Sequence, residues 1–547
     1  MAQRLPLHAR IAFALAAFGC VAAASAKQPG AGPVEFTTSC SPAVRSDFND
    51  AVTLLHHMTY PQARTAFAAI EEKDPACAMA RWGVAMTLFQ PLWPNRPGVA
   101  DLRLGWQTLE QARALNATPR EQAWLRAAAA FFESPEVTDY WARVERWEQG
   151  MAAVHAAYPD DDEASVFYAL AVLATARPGA EQAQHSERAI ALLLPVLKRH
   201  PGHPGAMHYI IHADDIPGRE HENDEIVRRY EKAAPDNPHA LHMPTHIYVR
   251  VGDWDGVIRG NVRAADAALK YPAGEHGDRV WDEYAHAIEY LVYAYLQRGD
   301  DASAKAQIAR LQATPNLEIT AKSAFHLAST RARFALERQA WDEAAALPAR
   351  DPASLDWDRY PWPEAIVVFA RGYGAARSGC ANTQDAAARL DALKQRAESA
   401  GEAVFARQIG VLELELAGAA ARCAHSDDEA VDRLQQALRL ESDTPKPAVT
   451  PAPTLPAAEL LGDLLLELDR PRDALAAYER SLQMYPRRFD GELGIARSQL
   501  ALGDKQEAAR AFCSLAQRAN IDSRETARAV RASLGDAASA EACARKR

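Results

Sequence analysis

The stretch "AAELLGDLLLELDRPRDALAAYERSLQMYPRR", residues 457–488, decides how this chain folds. Leu460, Leu464 and Leu468 recur every four residues, which places them on one face of a helix. A polar turn follows at Asp469-Arg470-Pro471, and a second amphipathic helix carries Ala474, Tyr478 and Leu482 until Pro486 ends it. Such a helix pair cannot bury its apolar faces alone, so it needs neighbours of the same kind. At 547 residues the chain is far too long for one ordinary core, and its wealth of Ala and Leu favours helices.

Gly462, Ala474, Tyr478 and Pro486 stand where the tetratricopeptide repeat carries its signature residues, and the stretch resembles that family. Other copies share the frame. "YPQARTAFAAIEEKDP" supplies Tyr60, Ala63, Phe67 and Pro75; "GDWDGVIRGNVRAADAAL" supplies Gly252, Trp254 and Ala264. Gly299, and then Gly503, Ala508 and Phe512, mark two more. The resemblance implies an all-α, helix-turn-helix solenoid: a right-handed superhelix with a concave groove, in two helical blocks. Residues 42–350 read as an N-terminal solenoid, 351–440 as degenerate repeats and 457–547 as C-terminal repeats with a terminal helix. Between them "ESDTPKPAVTPAPTLP", residues 441–456, holds five prolines and reads as an extended linker. The stretches 89–101 and 270–284 lengthen two connections. Residues 42–300 also resemble a group of uncharacterised secreted bacterial proteins of this type, which brings no activity with it.

The first 26 residues have the form of a secretory signal: Arg4 and Arg10, an apolar run over 11–23, then Ala24-Ser25-Ala26 as the cleavage site. Cys20 leaves a lipoprotein reading open, although Ala17-Phe18 makes a poor lipobox. Residues 27–41 read as a flexible lead-in, with no membrane span in the mature chain. Cleavage after Ala26 leaves 59 basic against 72 acidic residues, a net charge of −13. No basic cluster stands out, which argues against nucleic acid as a partner. A periplasmic or secreted location suits the six remaining cysteines, read as three local disulfides: Cys40–Cys77, Cys380–Cys423 and Cys513–Cys543, each linking adjacent helices.

"HPGAMHYIIHADD", residues 203–215, and "PHALHMPTHIYVR", residues 238–250, each hold a His-x-x-x-His pair. His208 and His242, like His212 and His246, are separated by 34 residues, one repeat. In repeats of the resembled family the fifth and ninth positions of the first helix face the groove, and these four histidines occupy them. His239, His286 and His326 take the groove-facing second position, and His56 falls late in the first helix of its unit. Glu289 sits beside His286, and Asp215 follows His212 by three. His200 and His203 read as ordinary loop residues.

Neutral imidazole is a common ligand for Zn, Cu, Ni and Fe, and histidines four apart on a helix can share one ion. Asp215 or Glu289 is then available to complete the shell or to orient a ligand. Three readings of the patch stay open: a transition-metal site, a hydrogen-bonded polar groove that holds a protein or peptide, and proton-linked binding of an acidic ligand. Pro244, lying between His242 and His246, must start or kink a helix there. No His-Glu-x-x-His, phosphate loop or Gly-x-Ser-x-Gly elbow occurs.

Overall fold

The computed structural model describes residues 34–539 and Cys543, apart from 94–95, 138, 178–179, 275–276, 382 and 445. The signal-like stretch 1–26 and Cys20 lie outside the described residues. Antiparallel helix pairs follow one another from Arg45–His56 to Glu525–Leu534, so the fold is the all-α solenoid expected. One short ribbon, Pro272–Ala273 with Arg279–Val280, interrupts them within the lengthened connection 270–284.

The repeat signature has a steric cause. A Cβ on Gly462 would lie 2.7 Å from the Tyr478 ring, and one on Gly83 would overlap the Phe67 ring. In each case the aromatic residue of one helix presses into a space that only glycine leaves open on its neighbour. Helices brought this close bury Phe48, Phe67, Trp82, Trp124 and Phe167 in one continuous core, their rings meeting edge to face at 5.3–6.5 Å.

Two segments differ from the expectation. Residues 34–41 are anchored rather than flexible: Val34, Phe36 and Cys40 are buried, and the Phe36 ring sits 4.8 Å from that of Trp124. The proline-rich segment 441–456 is not helical between Ser442 and Ala457, yet it does not run through solvent. Val449, Thr450, Ala452 and Leu455 are buried. It crosses the first helices of three repeats: Lys446 pairs with Asp215 at 3.7 Å, Tyr290 donates to the Ala448 carbonyl, and Arg333 donates to the carbonyls of Ala452 and Pro453. Proline has no N–H, so this run of turns and bends offers more carbonyls than N–H donors, and Tyr290 and Arg333 behind it satisfy three of them.

The C-terminal repeats fold back on the middle ones. Arg488, fully buried, bridges Glu337 and Glu459 and touches the Tyr293 hydroxyl at 3.1 Å. The three cysteine pairs lie at disulfide distance, with Cα separations of 4.7, 5.5 and 5.0 Å in chain order. Cys40 ties the extended lead-in to the start of the helix Ala78–Phe89, not helix to helix; Cys380 and Cys423 join the ends of alternate helices.

Candidate metal centre

His208 and His212 belong to the helix Pro204–Asp214, which begins where the His203 side chain accepts from the Ala206 N–H and Pro204 takes the first turn. The next repeat starts in the same way: Asn237 caps the Ala240 N–H, and Pro238 opens the helix Pro238–His242. Pro244 then interrupts it. Lacking an N–H, it cannot bond to the Ala240 carbonyl, and a second helix, Pro244–Val251, starts at once. His239 and His242 thus sit on one segment and His246 on the next. His286 and Glu289 lie on Glu283–Gln297, and His326 on Ala321–Leu336.

The four histidines picked out by spacing do not form one four-membered set. They fall into two triads, each completed by a histidine from a second position: His208, His212 and His239, and His242, His246 and His286. Within each triad one nitrogen per ring lies within 4.8 Å of the others. Five of the six residues are almost wholly buried, and His212 is partly open to a cavity of about 750 Å³. The division falls between His239 and His242 within one helix, while His242 and His246, on either side of Pro244, share a triad.

The far nitrogens fix how each ring is protonated. His208 Nδ1 lies 2.6 Å from the His56 carbonyl, which can only accept, so Nδ1 carries the proton and Nε2 is bare. His239 Nδ1 donates to Glu283 Oε2 at 3.1 Å, and Glu283 is itself held by Lys322. Nε2 of His208, His212 and His239 is buried without any hydrogen-bond partner. Each such orphan costs about 1–3 kcal/mol unless something binds there.

The second triad is more constrained. His242 Nδ1 donates to Asn261 Oδ1 at 2.7 Å, and that amide is oriented by donating to Thr245 and to the Val257 carbonyl. His246 Nδ1 donates to Asp215 Oδ2 at 2.9 Å. Both Nε2 atoms are therefore lone-pair acceptors in the neutral rings, yet they face each other at 2.9 Å. His286 Nδ1 and His326 Nε2 share a hydrogen bond at 3.1 Å, and His326 Nδ1 lies 3.5 Å from Glu289 Oε2 without a hydrogen bond between them. A carboxylate or amide carbonyl thus backs His208, His239, His242 and His246, in the arrangement that orients metal-binding imidazoles.

Burial, reinforced by neighbouring histidines, pulls the imidazoles of His208, His239, His242 and His286 well below their ordinary range and His212 to about 3. Burial also lowers His246, against the pull of Asp215. Although burial alone would raise Asp215, Arg250 and Lys446 hold it well below the usual carboxylate range. The rings are neutral at pH 7, the state in which imidazole ligates metals.

Of the further residues named from sequence, Asp215 and Glu289 stand behind the rings, one step away from the converging nitrogens. His56 belongs elsewhere. Its Nε2 meets Glu163 Oε2 at 2.8 Å, and His203, read as a loop residue, meets Glu163 Oε1 at 3.1 Å. This cluster is buried and each polar atom at its centre is paired; it joins three repeats as a structural network. Sequence reasoning missed Glu163, along with Asn261 and Glu283. Glu163 did carry a signal, since Asp161 already caps that helix and leaves its carboxylate free for the interior. Trp254 packs against Tyr293 at 5.4 Å, as its signature position implies.

No family model matches the chain, and no curated protein is similar to it by sequence. Among solved structures, the crystal structure of the yeast Tom70 aligns with 89% of this chain and 95% of its own, at 10% identity and a TM-score of 0.28.

Proposed function

We propose that this protein is an exported helical-repeat protein whose interior holds a histidine-ligated transition-metal centre. The observation that carries the reading is the 2.9 Å approach of His242 Nε2 to His246 Nε2, with both Nδ1 atoms already committed to oxygen acceptors. Two lone pairs at that distance repel unless a cation lies between them. A proton is disfavoured by burial, whereas nitrogens about 2.0–2.1 Å from one metal ion stand about 3 Å apart. The orphaned Nε2 atoms of His208, His212 and His239 support it independently. His208, His212, His239, His242, His246 and His286 are the ligands in this reading, and Asp215, Glu283, Asn261 and His326 orient them.

Export is supported by the three cysteine pairs, and among the described residues no helix is long and apolar enough to cross a membrane. The alternative reading, a metal-free scaffold with a peptide in its groove, has little free space: the chain's own residues 446–453 lie across the first helices where such a peptide needs to bind.

The test is metal analysis of the tag-free protein after incubation with Zn, Cu, Ni or Fe salts and desalting. Stoichiometric uptake that disappears in the His208→Ala/His242→Ala double variant is the expected result. A folded protein that takes up none of the four ions overturns the reading.

A further inference from the structure

The geometry points to a dinuclear copper centre, with the two triads as its halves and a small bridging anion as its ligand; this rests on the metal reading above. The triads are neighbours. Ring centroids across the boundary, His239 to His242 at 6.2 Å and His212 to His246 at 6.4 Å, are no farther apart than His212 and His239 within one triad, at 6.5 Å. Two ions, one per triad, share this boundary, and each keeps at least one position that no histidine fills.

The donor set selects the metal. All six ligands are neutral imidazoles, and the nearby carboxylates face the outer nitrogens and are already engaged: Asp215 by Arg250 and Lys446, Glu283 by Lys322, Glu289 by Arg333 and Ser329. Magnesium, calcium and manganese require oxygen ligands and find none here. Imidazole sets suit Zn, Ni, Fe and Cu alike, and of these divalent ions copper binds most tightly.

The bridging position has an approach. The cavity of about 750 Å³ reaches the centre at His212 and is walled by Trp93, Tyr140, Trp141 and Phe405. Arg96 and Lys446 line the same cavity, and Arg96 lies 3.5 Å over the Tyr140 ring. Asp139, Asp215 and Glu402 line it too, so the passage carries both signs, and it is the charge of the two ions at its end that favours a small anion as the entering ligand. Trp93 also stacks 5.3 Å from His239 and lies under the Lys322 ammonium at 3.7 Å, which closes that side.

The experiment loads the full-length, tag-free protein with Cu(II), removes unbound ion, and compares copper content with the electron-spin count, with and without azide. Two copper ions per chain are expected, with azide cutting the spin count several-fold as it bridges and couples them. His286→Gln should lower the content from two to one and make the spin count equal to the copper content. If that variant does not fold, His239→Gln removes a ligand of the other triad and gives the same readout. One copper per chain in the parent protein, or two whose spins stay fully counted in azide, overturns the dinuclear centre and leaves the metal reading standing. A chain that binds no ion fails both.

Discussion

Replacing His57 by Gln should flatten the acid side of the stability profile by a predictable amount. His57 is fully buried, its Nδ1 is 2.6 Å from the Tyr230 hydroxyl, and its Nε2 has no hydrogen-bond partner. Burial first, then the neighbouring His56, lowers it from 6.5 to about 3. Below pH 6.5 the unfolded chain protonates this ring and the folded chain does not, so the unfolded state binds more protons. Stability therefore falls as pH drops, at about 1.4 kcal/mol per pH unit for this one group. Between pH 7.5 and 4.5 the loss sums to about 2.6 kcal/mol. Gln cannot titrate there, so whatever it costs at neutral pH, the gap between variant and parent should narrow by that amount on acidification. Buried carboxyls with raised values, such as Glu441 at about 7, pull the opposite way but are common to both proteins and cancel. Urea unfolding at pH 7.5, 6.5, 5.5 and 4.5, followed by circular dichroism in the presence of a chelator, reads the difference. Parallel profiles would refute the neutral, water-poor interior on which ligation by imidazole depends.

Reduction should lower the melting temperature, because the cysteine pairs close loops of 37, 43 and 30 residues and each bond is worth ~2–4 kcal/mol; an unchanged melt after confirmed reduction counts against the bonds. Gly83→Ala should cost about 1–3 kcal/mol, since the new methyl overlaps the Phe67 ring, and a neutral result in thermal unfolding contradicts the close helix contact. Glu283→Gln should weaken metal binding about 10–100-fold in a competition titration, because His239 Nδ1 loses its charged acceptor; unchanged affinity would remove Glu283 from the site.

The fold was legible because its signature is local. Gly462 and Tyr478 are 16 residues apart and meet within one hairpin, so spacing alone reveals the contact. That His208 and His212, like His242 and His246, come together was legible from their spacing of four on a helix. Their division into triads was not, because it depends on His239 and His286, which come from other positions of the repeat. Partners such as Asn261 and Glu283 belong to helices whose approach no periodicity encodes. The proline-rich segment misled by composition: prolines predict an extended linker, whereas the segment turns and bends against the repeats, where Arg333 and Tyr290 hold its carbonyls and Asp215 pairs with its Lys446.

The most direct measurement is anomalous diffraction from crystals of the metal-loaded protein, with data on both sides of the metal absorption edge. Peaks enclosed by His208, His212 and His239 and by His242, His246 and His286 are predicted, with metal–nitrogen distances of about 2.0–2.1 Å. A map with no peak among these rings, or with peaks only at exposed histidines such as His200 and His221, would contradict the account.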